Sequence, residues 1–287
     1  MKINIWGGSG FLGSHIADSL SDVGHKVTII DKSESEWIKP NQKFIKGDLL
    51  DVDIIDGTSK DADFIFNLAG IADINEANDD PKLSATTNII GNINLLNAIK
   101  NYGVSRYVFA STLYVYSSSG GFYRCSKQAC ESYINEYSKQ FNIDYTILRF
   151  GSLYGPRSNE KNAIYRFIKQ ALDTGEIKYS GSSDARREYV HVKDAADICS
   201  ELIDDSFINK NIIITGPQSM KVLDLFKMIE EIIGKNIKFN FDTGTDSAHY
   251  EITPYTFNPK PGKKYSPNTY FDLGQGLIDL IEHLNQK

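Results

Sequence analysis

The opening 31 residues constrain the fold more than any other part of the chain. Residues 2–6 (KINIW) read as a short strand. Gly7-Gly8-Ser9-Gly10-Phe11-Leu12-Gly13 is a glycine turn running into a helix through Leu20, and residues 26–30 (KVTII) form a second strand ending at Asp31. Strand, glycine turn, helix and strand in that order make a βαβ unit, which commits the chain to a parallel sheet. Gly7 allows the tight turn, Gly10 lets the backbone approach a pyrophosphate, and Gly13 lets the helix pack close on the strand. The helix start at Phe11 and Leu12 adds amide donors and the positive end of the helix dipole. Asp31 is placed to accept from an adenosine ribose hydroxyl and to repel a 2′-phosphate, although Lys32 beside it softens that repulsion. The expected cofactor is NAD rather than NADP, held by Gly7, Gly10, Phe11, Leu12 and Asp31.

Alternation of strands and helices continues through residues 44–46, 52–57 and 64–68, a helix opened by Pro81 and running to Lys100, a strand at 106–110 and another at 145–149. The expected fold is therefore α/β, a doubly wound parallel sheet of the Rossmann type. Asn67-Leu68-Ala69-Gly70 ends one strand in small residues, which suits backbone passing close to a bound cofactor, so Leu68, Ala69 and Gly70 join the cofactor candidates. From Gly151 the texture changes to short strands, turns and a proline-rich stretch over 242–272, with a last helix at 277–284. Residues 1–150 are read as the cofactor-binding domain and residues 151–287 mainly as a smaller mixed α/β substrate-binding cap, the chain returning to the first domain around residues 189–215.

The chemistry is expected between Ser111 and Lys127. Residues 106–110 (RYVFA) form a buried strand that delivers Ser111 and Thr112 to the carboxyl edge of the sheet, and after Gly120-Gly121 a helical pattern sets Tyr123 and Lys127 four residues apart on one face. A hydroxyl, a phenol and an ammonium brought together suit removal of a proton from an alcohol. The cation is expected to favour tyrosinate, lowering a phenol pKa that starts near ~10. Tyr-x-x-x-Lys also occurs at Tyr165/Lys169 and Tyr189/Lys193. Neither of those follows a strand ending in Ser-Thr, so they are read as ordinary surface or packing pairs. Farther along the same helix, Ala129, Tyr133, Tyr137 and Phe141 form a stripe expected to pack in the core.

Composition narrows the partners. A chain of 287 residues with 41% hydrophobic content can bury a substantial core, and a net charge of −6 without a Lys/Arg block argues against nucleic acid or an anionic membrane. No run reaches the ~18 apolar residues of a membrane span, so the expected location is the cytoplasm. Cys125, Cys130 and Cys199 lack C-x-x-C spacing and the five histidines are scattered, so no metal site is expected.

Taken together, these residues resemble the extended short-chain dehydrogenase/reductase family, in its nucleotide-sugar epimerase/dehydratase branch. The pieces stand in order: Gly7, Gly10 and Gly13, Asp31, Gly47-Asp48-Leu49, Asn88 with Gly91, Ser111-Thr112, Tyr123 with Lys127, Leu148-Arg149, Leu153-Tyr154-Gly155-Pro156, then Arg187 ahead of Tyr189-Val190-His191-Val192 and Asp194. The resemblance implies that Asp48 and Leu49 contact the adenine, that Asn88 lies at the cofactor, and that Tyr123 is the catalytic acid/base. It also implies that Lys127 binds the nicotinamide ribose, that Thr112 holds the reacting hydroxyl, and that Ser152 and Arg187 meet a nucleotide-diphosphate sugar, Arg187 at the diphosphate. A homodimer through the helices at 81–100 and 124–140 is implied as well.

This chain departs from the branch in several places. Leu113-Tyr114 replaces the Asp-Glu pair of dehydratases, the connection from Thr112 to Tyr123 is short, Ser152 stands where many members place an Asn, and Asn67 and Gly70 replace the commoner His and Ala. Dehydration is thereby disfavoured, and the sugar is left open. The expected activity is oxidation of a sugar hydroxyl at C4 in surface-polysaccharide biosynthesis. It is read first as a 4-dehydrogenase for a bulky sugar such as a heptose, because the short connection removes pocket wall. A 4-epimerase, a 4-ketosugar reductase and a non-catalytic NAD-binding sensor are the alternatives.

Overall fold

The computed structural model describes residues 1–242 and 249–256. The expected last helix at 277–284, and most of the proline-rich stretch, lie outside the described residues. In chain order the first half comprises β1 (Lys2–Trp6), α1 (Phe11–Asp22), β2 (Lys26–Asp31), β3 (Lys43–Lys46), α2 (Val52–Ser59), β4 (Phe64–Asn67), α3 (Ile74–Asp79) and α4 (Pro81–Ser84), then α5 (Gly91–Tyr102), β5 (Arg106–Thr112), α6 (Gly121–Phe141) and β6 (Tyr145–Phe150). The second half adds β7 (Ser152–Tyr154), α7 (Ala163–Thr174), β8 (Glu176–Ser180), β9 (Arg186–His191), α8 (Val192–Glu201), β10 (Lys210–Ile214), β11 (Ser219–Lys221), α9 (Val222–Ile233) and β12 (Lys238–Asp242).

The central sheet has seven strands in the order β10-β6-β5-β4-β1-β2-β3, every neighbour parallel. Strand order reverses between β1 and β4, and the loops leaving their carboxyl ends diverge there, which is where such sheets bind ligands. Both faces of the sheet are covered, so its strands are apolar nearly throughout. On one face Ile3, Ile5, Val27, Ile29, Phe66 and Val108 pack under Ile16 and Leu20 of α1 and Ala195 and Cys199 of α8. On the other, Trp6, Ile30, Ile65, Phe109 and Ile147 pack under Leu95, Leu96 and Ile99 of α5 and Cys130 and Ile134 of α6.

Two sequence expectations are corrected. The helix expected from Pro81 to Lys100 is interrupted, since residues Ala85–Ile90 wind as a π-helix between α4 and α5. In α6, Tyr133 and Phe141 are each 45% exposed, and the buried residues stand beside the expected stripe, at Ser126, Lys127, Cys130, Glu131 and Ile134. The inner face of α6 is polar because its charged groups find partners there, which leaves the aromatic stripe on the outside. Tyr137 still reaches α5 through Asn97, and the ammonium of Lys100 lies over the Phe141 ring.

A second layer stands on the carboxyl edge. It contains a three-stranded sheet, β11-β9-β7, and a parallel pair, β12-β8, packed with α7 and α9 around Phe167, Phe226 and Ile177. The chain enters it after β6 and again after β10, at adjacent points: the Gly151 amide donates to the Ile214 carbonyl at 2.9 Å. The second crossing has no room for a side chain, because a Cβ on Gly216 would lie 2.0 Å from the Tyr189 carbonyl oxygen.

Candidate active site

The glycine turn after β1 has the shape of a dinucleotide cradle. Gly7 has φ +80°, and a Cβ on it would lie 2.6 Å from the Ala69 amide nitrogen; one on Gly13 would lie 2.2 Å from the Gly7 carbonyl oxygen. Turn, helix and the Leu68-Ala69-Gly70 loop are thus in backbone contact. No side chain caps the start of α1, so the amides at Phe11 and Leu12 face outward at the positive end of the helix. The buried Ser9 hydroxyl has no hydrogen-bond partner among the described residues. An anionic pyrophosphate fits this set of open donors. Asp31 accepts from the Ser9 amide at 3.1 Å, which joins the end of β2 to the turn. Lys32 is paired with Asp48 at 3.0 Å, so its charge is already partly answered.

Asn88 lies behind this cradle. Its side chain is 4% exposed, accepts from the Ile71 amide at 2.7 Å, and donates to the Ile71 carbonyl and the Ser126 hydroxyl. With its polar atoms so engaged, Asn88 shapes the loop after β4. Leu49 is buried against Gly91 and Asn94, whose amide donates to the Leu49 carbonyl.

β5 and α6 bring Thr112 and Tyr123 into hydrogen-bond contact. Ser111, the neighbour of Thr112 on the strand, projects the other way and donates to Glu131 at 2.5 Å. Lys127 is buried, donates to the Ala110 carbonyl at 2.8 Å, and sits 4.7 Å over the Phe109 ring. The expected lowering of the phenol is not what this geometry produces. Burial pushes Tyr123 up to about 12, against the opposing pull of the Thr112 hydrogen bond. Burial also lowers Lys127, whose hydrogen bond goes to a carbonyl. Of the other Tyr-Lys pairs, Lys169 is tied to Glu160 on the surface, and Tyr189 lies among the residues around Arg187.

Beyond Thr112 and Tyr123 the pocket is walled by tyrosines. The Tyr114 and Tyr123 rings meet edge to face at 6.2 Å, the Tyr114 and Tyr250 rings lie 4.6 Å apart, and the Tyr114 hydroxyl is 2.5 Å from Nδ1 of His249. Tyr250 is hydrogen-bonded to Ser152 and faces the Arg187 guanidinium at 4.6 Å. Arg187 is 8% exposed and donates to the carbonyls of Arg186 and Glu251. No carboxylate among the described residues forms an ion pair with it. A buried cation without a counter-charge among the described residues is costly and would gain from a nearby anion. The Tyr123–Tyr114–Tyr250 ring contacts, with Thr112 on Tyr123 and Ser152 and Arg187 on Tyr250, link these four candidates into one connected group. Tyr114, His249 and Tyr250 were missed by sequence reasoning. Tyr114 was marked only as a departure, and nothing near residue 250 signals where that ring goes.

Comparison with known proteins settles the family. Residues 3–214 match the NAD dependent epimerase/dehydratase family. The chain belongs to that family. Among its relatives is a putative UDP-glucose 4-epimerase of Methanocaldococcus jannaschii, 27% identical over 87% of this chain and 88% of the relative. The UDP-glucose 4-epimerase of Thermotoga maritima, solved with UDP-glucose, superposes with a TM-score of 0.80 at 25% identity, covering 90% of each chain. A UDP-glucuronic acid 4-epimerase of Bacillus cereus, solved with NAD, gives 0.76 at 27% identity, over 84% of this chain and 87% of that one. Among the described residues, no helix is long and apolar enough to cross a membrane, and no cluster of His, Cys, Asp or Glu could hold a metal ion.

Proposed function

We propose that the chain is an NAD-dependent UDP-sugar 4-epimerase. The observation that carries this reading is the closure of the pocket over Thr112 and Tyr123 by Tyr114 and Tyr250. An epimerase has to keep its keto sugar while the ring turns, so escape must be slower than rotation and re-reduction. The short connection at 113–122 favoured a dehydrogenase because it removes wall. Tyr114 from the connection itself and Tyr250 from a remote segment supply that wall, which supports the epimerase. The UDP-sugar 4-epimerases among its relatives support the same reading.

Bound NAD would supply a reversible hydride acceptor in the cradle of Gly7, Gly10, Phe11 and Leu12, with Asp31 at the adenosine ribose. Thr112 holds the C4 hydroxyl, and Tyr123, ionised once the cationic nicotinamide of bound NAD offsets the effect of its burial, would take the hydroxyl proton and later return it to the ketone oxygen. Lys127, fixed by the Ala110 carbonyl, holds the nicotinamide ribose. Arg187 neutralises the diphosphate, and Ser152 contacts the sugar. The aromatic wall excludes water and holds the ketone.

A homodimer through α5 and α6 accompanies this reading. Leu83 and Ile90 at the start of the α5 region, and Tyr133 and Phe141 on α6, are apolar and exposed, and they would be covered by the same residues of a second copy.

The test is to incubate the purified protein, without added NAD, with UDP-glucose, UDP-N-acetylglucosamine or UDP-glucuronic acid. The C4 configuration is followed by NMR and the cofactor by absorbance. Many turnovers to the C4 epimer without net NADH are expected. Stoichiometric NADH with a released 4-keto sugar would favour the 4-dehydrogenase instead.

A further inference from the structure

Tyr250 is turned inward from an exposed segment. His249, Glu251, Ile252, Tyr255 and Thr256 around it are exposed, Ile252 by 69%, whereas Tyr250 is 7% exposed and Thr253 6%. Its ring is in the volume where the candidate substrate residues converge, against Tyr114, bonded to Ser152 and facing Arg187. Next to it, the Glu251 carbonyl accepts from the Arg187 guanidinium at 3.1 Å and from the Arg186 amide at 2.6 Å. Tyr255 closes the segment by donating to the Glu188 carboxylate. Besides the Arg186 carbonyl and the Tyr179 hydroxyl, the buried guanidinium therefore has an aromatic face and a carbonyl provided by residues 250–251.

On the nucleotide-sugar reading of this pocket, we propose that residues 249–256 are a strap, with Tyr250 and Glu251 as resting partners whose contacts with Arg187 the substrate diphosphate replaces, the Tyr250 ring moving off the guanidinium while staying against Tyr114 in the wall. A π-face and a carbonyl satisfy a guanidinium weakly, and a diphosphate satisfies it with full charge and two-pronged geometry. Entry of the substrate is thus an exchange at Arg187. The strap keeps the buried charge covered until the anion arrives, and it taxes affinity by the strength of the contacts given up. Among the described residues it is fastened by the Tyr250 ring on Arg187 and on Tyr114, by the Tyr250–Ser152 contact, by two hydrogen bonds from β9 to the Glu251 carbonyl, by the Tyr255 hydroxyl donating to Glu188, and by the Tyr114–His249 contact. The same exchange makes Tyr250 a selector, because a sugar that leaves no space for the displaced ring has to expel the whole segment.

Peptide-resolved mass spectrometry of phenylglyoxal labelling at Arg187 tests this directly. Wild type, Tyr250→Ala and Tyr250→Leu would be compared, alone and with increasing UDP or inorganic pyrophosphate. Tyr250→Leu keeps apolar bulk in the cavity without a π-face, should folding of the alanine variant suffer. Both variants should label several-fold faster than wild type, and both anions should protect them at concentrations about 5–30-fold lower. Unchanged labelling would overturn the strap, as would protection of wild type at equal or lower concentration, or no protection by either anion. Protection by pyrophosphate but not UDP, with the variants still favoured, would keep the strap and remove the nucleotide from the reading of the site.

Discussion

Arg149 and Glu131 form a two-pronged ion pair beneath the candidate catalytic residues, Nη2 to Oε2 at 2.6 Å and Nε to Oε1 at 3.1 Å. Ser111 donates to the same carboxylate, and Arg149 also contacts the Tyr116 hydroxyl. The cluster ties β5, β6 and α6 together where Thr112 and Tyr123 must meet. Both charged side chains are nearly buried, 13% and 10% exposed. Removing one leaves the other uncompensated, so Arg149→Ala should cost about 3–5 kcal/mol in urea unfolding. Glu131→Gln, which keeps the shape and a hydrogen bond, should cost less.

Tyr123→Phe should lower turnover by roughly 10²–10⁴-fold with NAD still bound, the range for a positioned acid/base. The phenol also carries a pH signature. Its folded value of about 12 lies above the ordinary one near ~10. Its stabilising contribution is therefore complete below about pH 10 and is lost as pH rises from there through about 12. In the cofactor-free protein, the 295 nm difference titration between wild type and Tyr123→Phe should show no ionisation near pH 10. A step there would mean that the phenol is not buried as described.

Asp31→Ala should weaken NAD by about 1.5–3 kcal/mol, the cost of a lost charge-assisted hydrogen bond, and relatively improve NADP. The Ser9 amide loses its acceptor in the same variant. Asp31→Asn separates the two effects: it retains an acceptor for the turn while removing the charge that repels a 2′-phosphate. Calorimetric titration of both cofactors measures each, and equal wild-type affinities for NAD and NADP would remove Asp31 from the assignment.

Gly13→Ala and Gly57→Ala make a matched pair. A Cβ at residue 13 would lie 2.2 Å from the Gly7 oxygen, whereas one at residue 57 in α2 meets nothing within 4 Å. Gly13→Ala should abolish NAD binding and lower the melting temperature. Gly57→Ala should stabilise by about 0.5–1 kcal/mol through helix propensity. Thermal melts with and without NAD distinguish them.

Ile90→Glu combined with Tyr133→Glu should convert a dimer into a monomer at micromolar concentration by light scattering. Both residues are nearly half exposed in the single chain, so the charges themselves cost that chain little. A monomeric wild type would remove the interface.

The parallel sheet was legible because its signals are local. Glycines that must touch backbone, and strands buried on both faces, write their constraint into adjacent residues, as in β1 to β2. The meeting of Thr112 and Tyr123 was legible from a strand ending in Ser-Thr and the helical spacing after Gly120-Gly121, whereas the place of Arg187 was legible only through resemblance, since β9 is remote in sequence from β5. What could not be read was decided by pairing across the chain. Ser111 turned to Glu131 rather than to the site, the polar face of α6 went inward because Arg149 awaited it, and Tyr250 entered the pocket from an irregular segment with no periodicity to betray it.

The close passage of Gly216 against Tyr189, beside the Gly151–Ile214 hydrogen bond, has a mechanical consequence. Two chain crossings packed backbone to backbone make a weld rather than a hinge, since any rotation about one would drive it into the other. On the strap reading, substrate entry is therefore work for that short surface segment rather than for a swing of one layer against the other.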